Sequence, residues 1–235
     1  MTGLGPLPPG WTAALGSFAS EPMRHALDAS CWQFSQHGLT LLFDAGAGLG
    51  PAPARPDALF VTHGHADHAG GAARLNCVVH AGALTCQWLQ SGDVASISLT
   101  EAINAGIYPA GYVLQPPAGL VPLADGEALR FGEVTVTALA TPGHSADHFA
   151  YLVAAGEHSV LVGGDAIFWG GTIMLQNTWD STVRDSSRSV EKICKLHLDA
   201  ILPGHGPPMI GDHLQHSLDA AAGRIGRLLP PSLFM

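Results

Sequence analysis

Short apolar blocks of strand length recur along the chain, each closed by small or turn-forming residues. "GLTLLFDAG" (38–46), "DALFVTH" (57–63) and "CVVHAG" (77–82) come first. "EVTVTALATPGH" (133–144), "HFAYLVAA" (148–155), "HSVLVGGD" (158–165) and "DAILPGH" (199–205) follow. Each reads as a strand between turn signals. The period changes in two places. Over 184–198, Val190, Ile193, Cys194, His197 and Leu198 keep helical spacing, and Arg188, Glu191, Lys192 and Lys195 take the rest of the wheel. Over 212–229, Leu214, Leu218, Ala221, Ile225 and Leu228 do the same, and Pro230 and Pro231 stop the helix. Shorter helices are expected at 67–75, 83–90 and 100–105. The Pro/Gly-rich stretches 46–56 and 106–126 read as loops, the second long enough to act as a flap. Strands outnumber helices and alternate with them only in part. That predicts an α/β protein with mixed sheets and helices outside them.

Composition narrows the class. The 235 residues are 47% hydrophobic and only 12% charged, which suits one globular domain over 1–235 with ample buried surface. The net charge is −9, with ten Lys and Arg together, and no basic block exists, so nucleic acid is not an expected partner. No apolar run approaches the ~18 residues of a membrane span. The start, "MTGLGPLPPGWTAALGSF", has neither a basic segment nor a continuous apolar one, so a cytoplasmic location is expected. Four scattered cysteines form no CxxC pair and read as reduced, mostly buried thiols. Thirteen His exceed Lys and Arg combined and point to metal or acid–base chemistry.

The chemistry-bearing residues share one placement. An apolar strand runs out, a small residue follows, and a metal-competent side chain appears. "LFVTH" delivers His63, "VTALATPGH" delivers His144, "VLVGGD" delivers Asp165 and "AILPGH" delivers His205. Strands fix the backbone there, and glycines let loops crowd together. The stretch "THGHADH" (62–68) adds His65, Asp67 and His68. His63 and His65 are two apart and point to one side of an extended turn. Asp67 and His68 start a helix and face a second centre. A chance HxHxDH match in such a chain is expected on the order of 0.002 times. Imidazole with carboxylate suits zinc, iron, manganese or nickel. Seven ligands exceed the need of one tetrahedral zinc, whereas two metals bridged by a carboxylate use them all.

In "THGHADH" (62–68), "TPGH" (141–144), "GGDAIF" (163–168) and "LPGHGPP" (202–208), the sequence resembles the metallo-β-lactamase-fold superfamily, the group that includes glyoxalase II. "LLFDAG" (41–46) and the stretch 122–153 add to a likeness running from about residue 30 to 210. The resemblance implies an αββα sandwich, with two mixed sheets packed face to face and helices outside. It implies two divalent metal ions, zinc by default and iron or manganese as alternatives. His63, His65 and His144 would hold the first ion, Asp67, His68 and His205 the second, and Asp165 would bridge them. It also implies hydrolysis of a small carbonyl substrate (thioester, lactone or ester) by a hydroxide bridging the metals, with Asp67 as the catalytic residue that orients it.

Departures from the family's patterns narrow the substrate. Superfamily β-lactamases carry Cys or Ser in place of the bridging aspartate, so Asp165 argues against penicillin hydrolysis. Acyl-homoserine lactonases place Tyr where this chain has Phe168, a position at which glyoxalase II also has Phe. Glyoxalase II adds a C-terminal helical domain for glutathione, and the residues after His205 are expected to make only one helix. Persulfide dioxygenases keep HxHxDH with a single iron, which leaves a mononuclear iron oxidoreductase as one alternative. A phosphodiester hydrolase is another. The expected partner is a small-molecule substrate, without nucleic acid or membrane, and self-association stays open. Phe168, Trp169 and Trp179, in "IFWGGTIMLQNTWDSTVR" (167–184), and Tyr108 in the flap are candidate substrate-binding residues. Asp44 and His148 are candidates to support the ligands. His80 is a weaker one, while His213, His216 and Arg184 are expected at the surface.

Overall fold

The computed structural model describes residues 6–15 and 29–233. The chain separates into two compact units, Thr12–Leu123 and a second made of Met1–Trp11 with Ala124–Met235. Among the described residues each unit is built on a six-stranded sheet. Two mixed sheets with helices are the make-up expected of the αββα class.

In the first unit the sheet runs β1 (Trp11–Leu15), β2 (Cys31–Gln36), β3 (Leu39–Phe43), β4 (Ala58–Phe60), β5 (Val78–Gly82) and β6 (Leu120–Leu123), in spatial order. β2 and β3 form an antiparallel hairpin across His37 and Gly38, both at positive φ, the two-residue turn whose twist matches the strands. From β3 to β6 all neighbours are parallel. The inner strands are accordingly apolar on both faces, with Leu41, Leu42, Phe43, Leu59 and Phe60 nearly inaccessible. Between β4 and β5 lies a single helical turn, α1 (Ala66–Ala69), followed by a 3₁₀ turn (Ala72–Arg74). The helix expected over 67–75 is thus broken at Gly70 and Gly71. α2 (Ala83–Ser91), which ends at a left-handed Gly92, and α3 (Leu99–Asn104) link β5 to β6.

The second unit orders its strands β12 (Met209–Ile210), β11 (Ala200–Pro203), β10 (His158–Gly164), β9 (Phe149–Ala155), β8 (Val134–Ala140) and β7 (Ala128–Phe131). β7 to β10 form an antiparallel meander, and β11 joins β10 in parallel through α4 (Val183–Ile193). β8 alternates buried and half-buried positions, as a sheet with one covered face requires. Val190 and Ile193 of α4, with Leu214, Leu218 and Ala221 of α5 (Asp212–Ile225), pack with Leu161, Ile167 and Ile201 in one core cluster.

Several boundaries differ from the sequence expectation. α4 stops five residues early because Lys195 and Leu196 turn back to the carbonyls of Lys192 and Ile193, leaving Leu198 to lead into β11. α5 stops at Ile225, and Leu228 lies at positive φ. Part of the stretch expected as a flap is β6, which gains its hydrogen bonds from β5 and has no strong pattern of its own. β1, β2, β7 and the two-residue β12 have no counterpart among the expected strands. Of the thiols, Cys31 and Cys86 are buried, and Cys77 and Cys194 are half-buried. No helix of the described residues is long and apolar enough to cross a membrane.

Candidate metal centre

Each unit delivers its candidate ligands at the carboxyl end of its strands. In the first unit β3 and β4 run parallel, so Asp44 and the 62–68 loop leave the sheet side by side. Asp44 N–H donates to Phe60 O at 2.8 Å, and the Asp44 carboxylate turns to the loop. It accepts from the Thr62 backbone N–H (2.8 Å), the Thr62 hydroxyl (3.0 Å) and His68 Nδ1 (2.8 Å). A carboxylate only accepts, so His68 carries its proton on Nδ1 and presents the Nε2 lone pair. With its own proton given to Asp44, the Thr62 hydroxyl accepts from His63 Nδ1 at 3.0 Å, and His63 also presents Nε2. That nitrogen lies 2.8 Å from His65 Nδ1. His68 Nε2 lies 3.7 Å from Asp67 Oδ2. His63, His65 and His68 are buried, whereas the Asp67 side chain is 20% exposed.

The glycines of this loop have a role other than tight turning. Gly70 and Gly71 have ordinary negative φ. A Cβ on Gly71 would lie 2.1 Å from Ala45 O, and one on Gly70 2.6 Å from Ala47 O. They permit close backbone approach between the loop after β3 and the ligand loop, and Gly71 N–H donates to Gly46 O across that gap.

In the second unit β8 and β10 each run antiparallel to β9, and β11 runs parallel to β10, so the three strands end at one edge. His144, Asp165 and His205 lie there. His144 Nε2 is 3.3 Å and His205 Nε2 3.6 Å from Asp165 Oδ2. The Met174 carbonyl, 3.3 Å from His144 Nδ1, is placed to accept from that nitrogen, and Nε2 faces the carboxylate side. His144 and Asp165 are buried, and the His205 side chain is 30% exposed.

The donor sets fit divalent metals. Three buried imidazoles have their far nitrogen tied to an acceptor, which orients a neutral lone pair, and carboxylates stand beside them. Ligand atoms of His63 and His65, and of Asp67 and His68, lie within 4.8 Å of each other.

The remaining candidates fall out unequally. Phe168 is fully buried, its ring centroid 6.5 Å from that of His205. Trp169 packs on the core cluster and against the His213 ring at 4.3 Å, so His213 is not the free surface residue expected. Trp179 is 64% exposed. Tyr108 is buried, stacked on Tyr112 at 4.9 Å, and its hydroxyl faces Asp67. Burial, with the Asp67 charge beside it, pushes this phenol well above its ordinary range, so it stays protonated. Tyr112 O–H donates to Ala47 O and pins the segment to the loop after β3. Arg184 lies on the exposed side of α4, paired with Asp185. His80 stacks on Phe60 within the sheet. The Thr62 bridge between Asp44 and His63 escaped sequence reasoning. Only its place next to HxHxDH marks it.

Strand-end candidate ligands on two mixed sheets are the arrangement that a metal-binding α/β protein requires. The family model described as the metallo-beta-lactamase superfamily matches residues 32–205, and the chain belongs to that superfamily. Its members are generally metal-dependent hydrolases. Human metallo-beta-lactamase domain-containing protein 1 is 31% identical over 172 residues, 71% of this chain and 53% of that one. The Caenorhabditis elegans beta-lactamase-like protein 2 homolog is 26% identical, over 68% of this chain and 48% of its own. The chain thus spans about half the length of these curated relatives. A metallo-beta-lactamase family protein of Thermus thermophilus shares the fold, with a TM-score of 0.67, 22% identity, and coverage of 95% of this chain and 82% of that chain.

Proposed function

We propose that the protein is a dinuclear metallohydrolase acting on a small carbonyl substrate, a thioester, lactone or ester. His63, His65 and His144 would hold one ion, Asp67, His68 and His205 would hold the other, and Asp165 would serve both. The observation that carries this reading is the orientation of the imidazoles: Asp44, Thr62 and Met174 leave Nε2 of His68, His63 and His144 as the metal-facing atom. Such preparation serves a cation and is not needed in a packed core. The superfamily match, which runs through all seven ligands, supports their joining in one centre.

When bound, a pair of divalent cations lowers the pKa of water toward neutrality and polarises a carbonyl oxygen. The chain's own residues do the rest. Asp67, partly exposed, orients the attacking water and passes its proton to the leaving group. Tyr108, kept protonated by burial, faces Asp67 as a hydrogen-bond donor. Phe168, fully buried, packs beside His205 and backs that ring instead of presenting a free face.

Metal analysis of protein purified without chelator, followed by assays on thioesters, lactones, esters and phosphodiesters, tests the reading. Two equivalents of zinc, iron or manganese and hydrolysis of a carbonyl substrate are expected, with His63→Ala and Asp165→Ala inactive. Wild-type rates in either variant would overturn it. So would one iron per chain with oxygen consumption on a persulfide.

A further inference from the structure

One imidazole outside the ligand set ties two ligand carriers together. His148 precedes β9 and is completely buried. Its carbonyl accepts from Thr141 N–H at 2.8 Å, which closes the turn between β8 and β9. Its ring spans further. Nδ1 is 2.8 Å from the Thr141 hydroxyl oxygen, and Nε2 is 3.0 Å from the backbone nitrogen of Asp165. A backbone amide only donates, so Nε2 is the bare nitrogen and the ring proton sits on Nδ1, facing Thr141.

The geometry joins the exits of two strands. Thr141 follows β8, Asp165 follows β10, and β9 lies between those strands. His144 sits within the turn that Thr141 and His148 close. The same ring that closes the turn carrying His144 therefore anchors the main chain of Asp165. Across this arrangement His144 Nε2 and Asp165 Oδ2 stand 3.3 Å apart.

We infer that His148 is a positioning residue: its bridge from Thr141 to the Asp165 backbone sets the separation of His144 and Asp165, and through it how tightly they hold a cation. The inference rests on the metallohydrolase reading. An apolar residue of similar size would fill the space without holding either strand end. A packing role and a positioning role therefore predict different metal binding.

The test uses His148→Phe, His148→Gln and Thr141→Val in the full chain. Zinc affinity is read by competition with a chromophoric chelator, and geometry by the absorption bands of the cobalt-substituted protein. Loss of an outer partner of this kind costs about 10–100-fold in metal affinity, the drop expected for His148→Phe. His148→Gln keeps an acceptor for Asp165 N–H and falls between it and wild type. Thr141→Val, which leaves the ring in place, shifts the cobalt bands and weakens affinity less. Nitrogen NMR of metal-free wild type shows His148 unprotonated at Nε2. If His148→Phe fails to fold, the other two variants and the NMR spectrum decide. Wild-type affinity and bands in both His148→Gln and Thr141→Val, or a proton on Nε2, overturn the inference alone. Wild-type protein that binds neither zinc nor cobalt overturns the metallohydrolase reading and the inference with it.

Discussion

Asp44→Asn separates the electrostatic role of Asp44 from its volume. The carboxylate is 1% exposed and accepts three hydrogen bonds, from Thr62 N–H, Thr62 O–H and His68 Nδ1–H. Asparagine preserves the shape and tolerates the left-handed backbone at φ 62°. Its oxygen still accepts from Thr62 N–H, but its amide turns a donor toward His68 Nδ1. Either two donors face each other, or the imidazole moves its proton to Nε2 and loses the lone pair meant for a cation. The first outcome leaves one buried donor unsatisfied, at about 1–3 kcal/mol. The second lowers metal affinity by about 10–100-fold, or roughly 1.4–2.8 kcal/mol. Asp44→Ala removes the acceptor of all three donors; with the Thr62 hydroxyl rotating to another acceptor, Thr62 N–H and His68 Nδ1–H are still orphaned, about 2–6 kcal/mol, a large part of the ~5–15 kcal/mol that stabilises a domain. Chelator competition and urea melts of the metal-free proteins measure the two terms separately. If Asp44→Asn binds metal as wild type does, the imidazole orientation derived above is refuted.

Three further outcomes follow from local geometry. Gly143 lies at φ +134°, and a Cβ there would stand 2.2 Å from Ser186 N in α4. Gly143→Ala should therefore cost about 1–3 kcal/mol, a fall in Tm of roughly 2–12 °C by calorimetry, and should weaken metal binding through His144. Burial favours the neutral form of Asp125, but Lys192 Nζ at 2.6 Å and Ala140 N–H at 2.8 Å outweigh it, so its pKa is below the ordinary 3.8. Its folded-state value being the lower, the stabilisation is present above 3.8 and lost as pH falls through the depressed value. Asp125→Asn should cost no more than about 1 kcal/mol in neutral urea melts, the pair being largely exposed, and nothing in strong acid. Burial, with Asp219 and Glu191 nearby, raises the Cys194 thiol, and burial raises Cys77, so both should react with a disulfide reagent more slowly than a free thiol at mildly alkaline pH.

Which residues can ligate a metal, and that they sit at strand ends, is legible in the chain alone. Apolar runs and the glycines after them are local signals, and HxHxDH is too improbable to be incidental. The α/β class with mixed sheets is legible too, since β3, β4, β5, β8, β9, β10 and β11 form where the pattern placed them. The pattern could not assign β6, whose hydrogen bonds are supplied by β5, nor the early end of α4. It offered Tyr108 and Trp179 on equal terms. Folding buries the first against Asp67 and leaves the second at the surface. Folding also sets the proton positions. Thr62, Asp44 and His68 span 24 residues of chain, and Thr141, His148 and Asp165 meet only because β8, β9 and β10 are neighbours. A ring nitrogen becomes a ligand when the other one has an acceptor, and that acceptor is chosen by the fold, not by spacing along the chain.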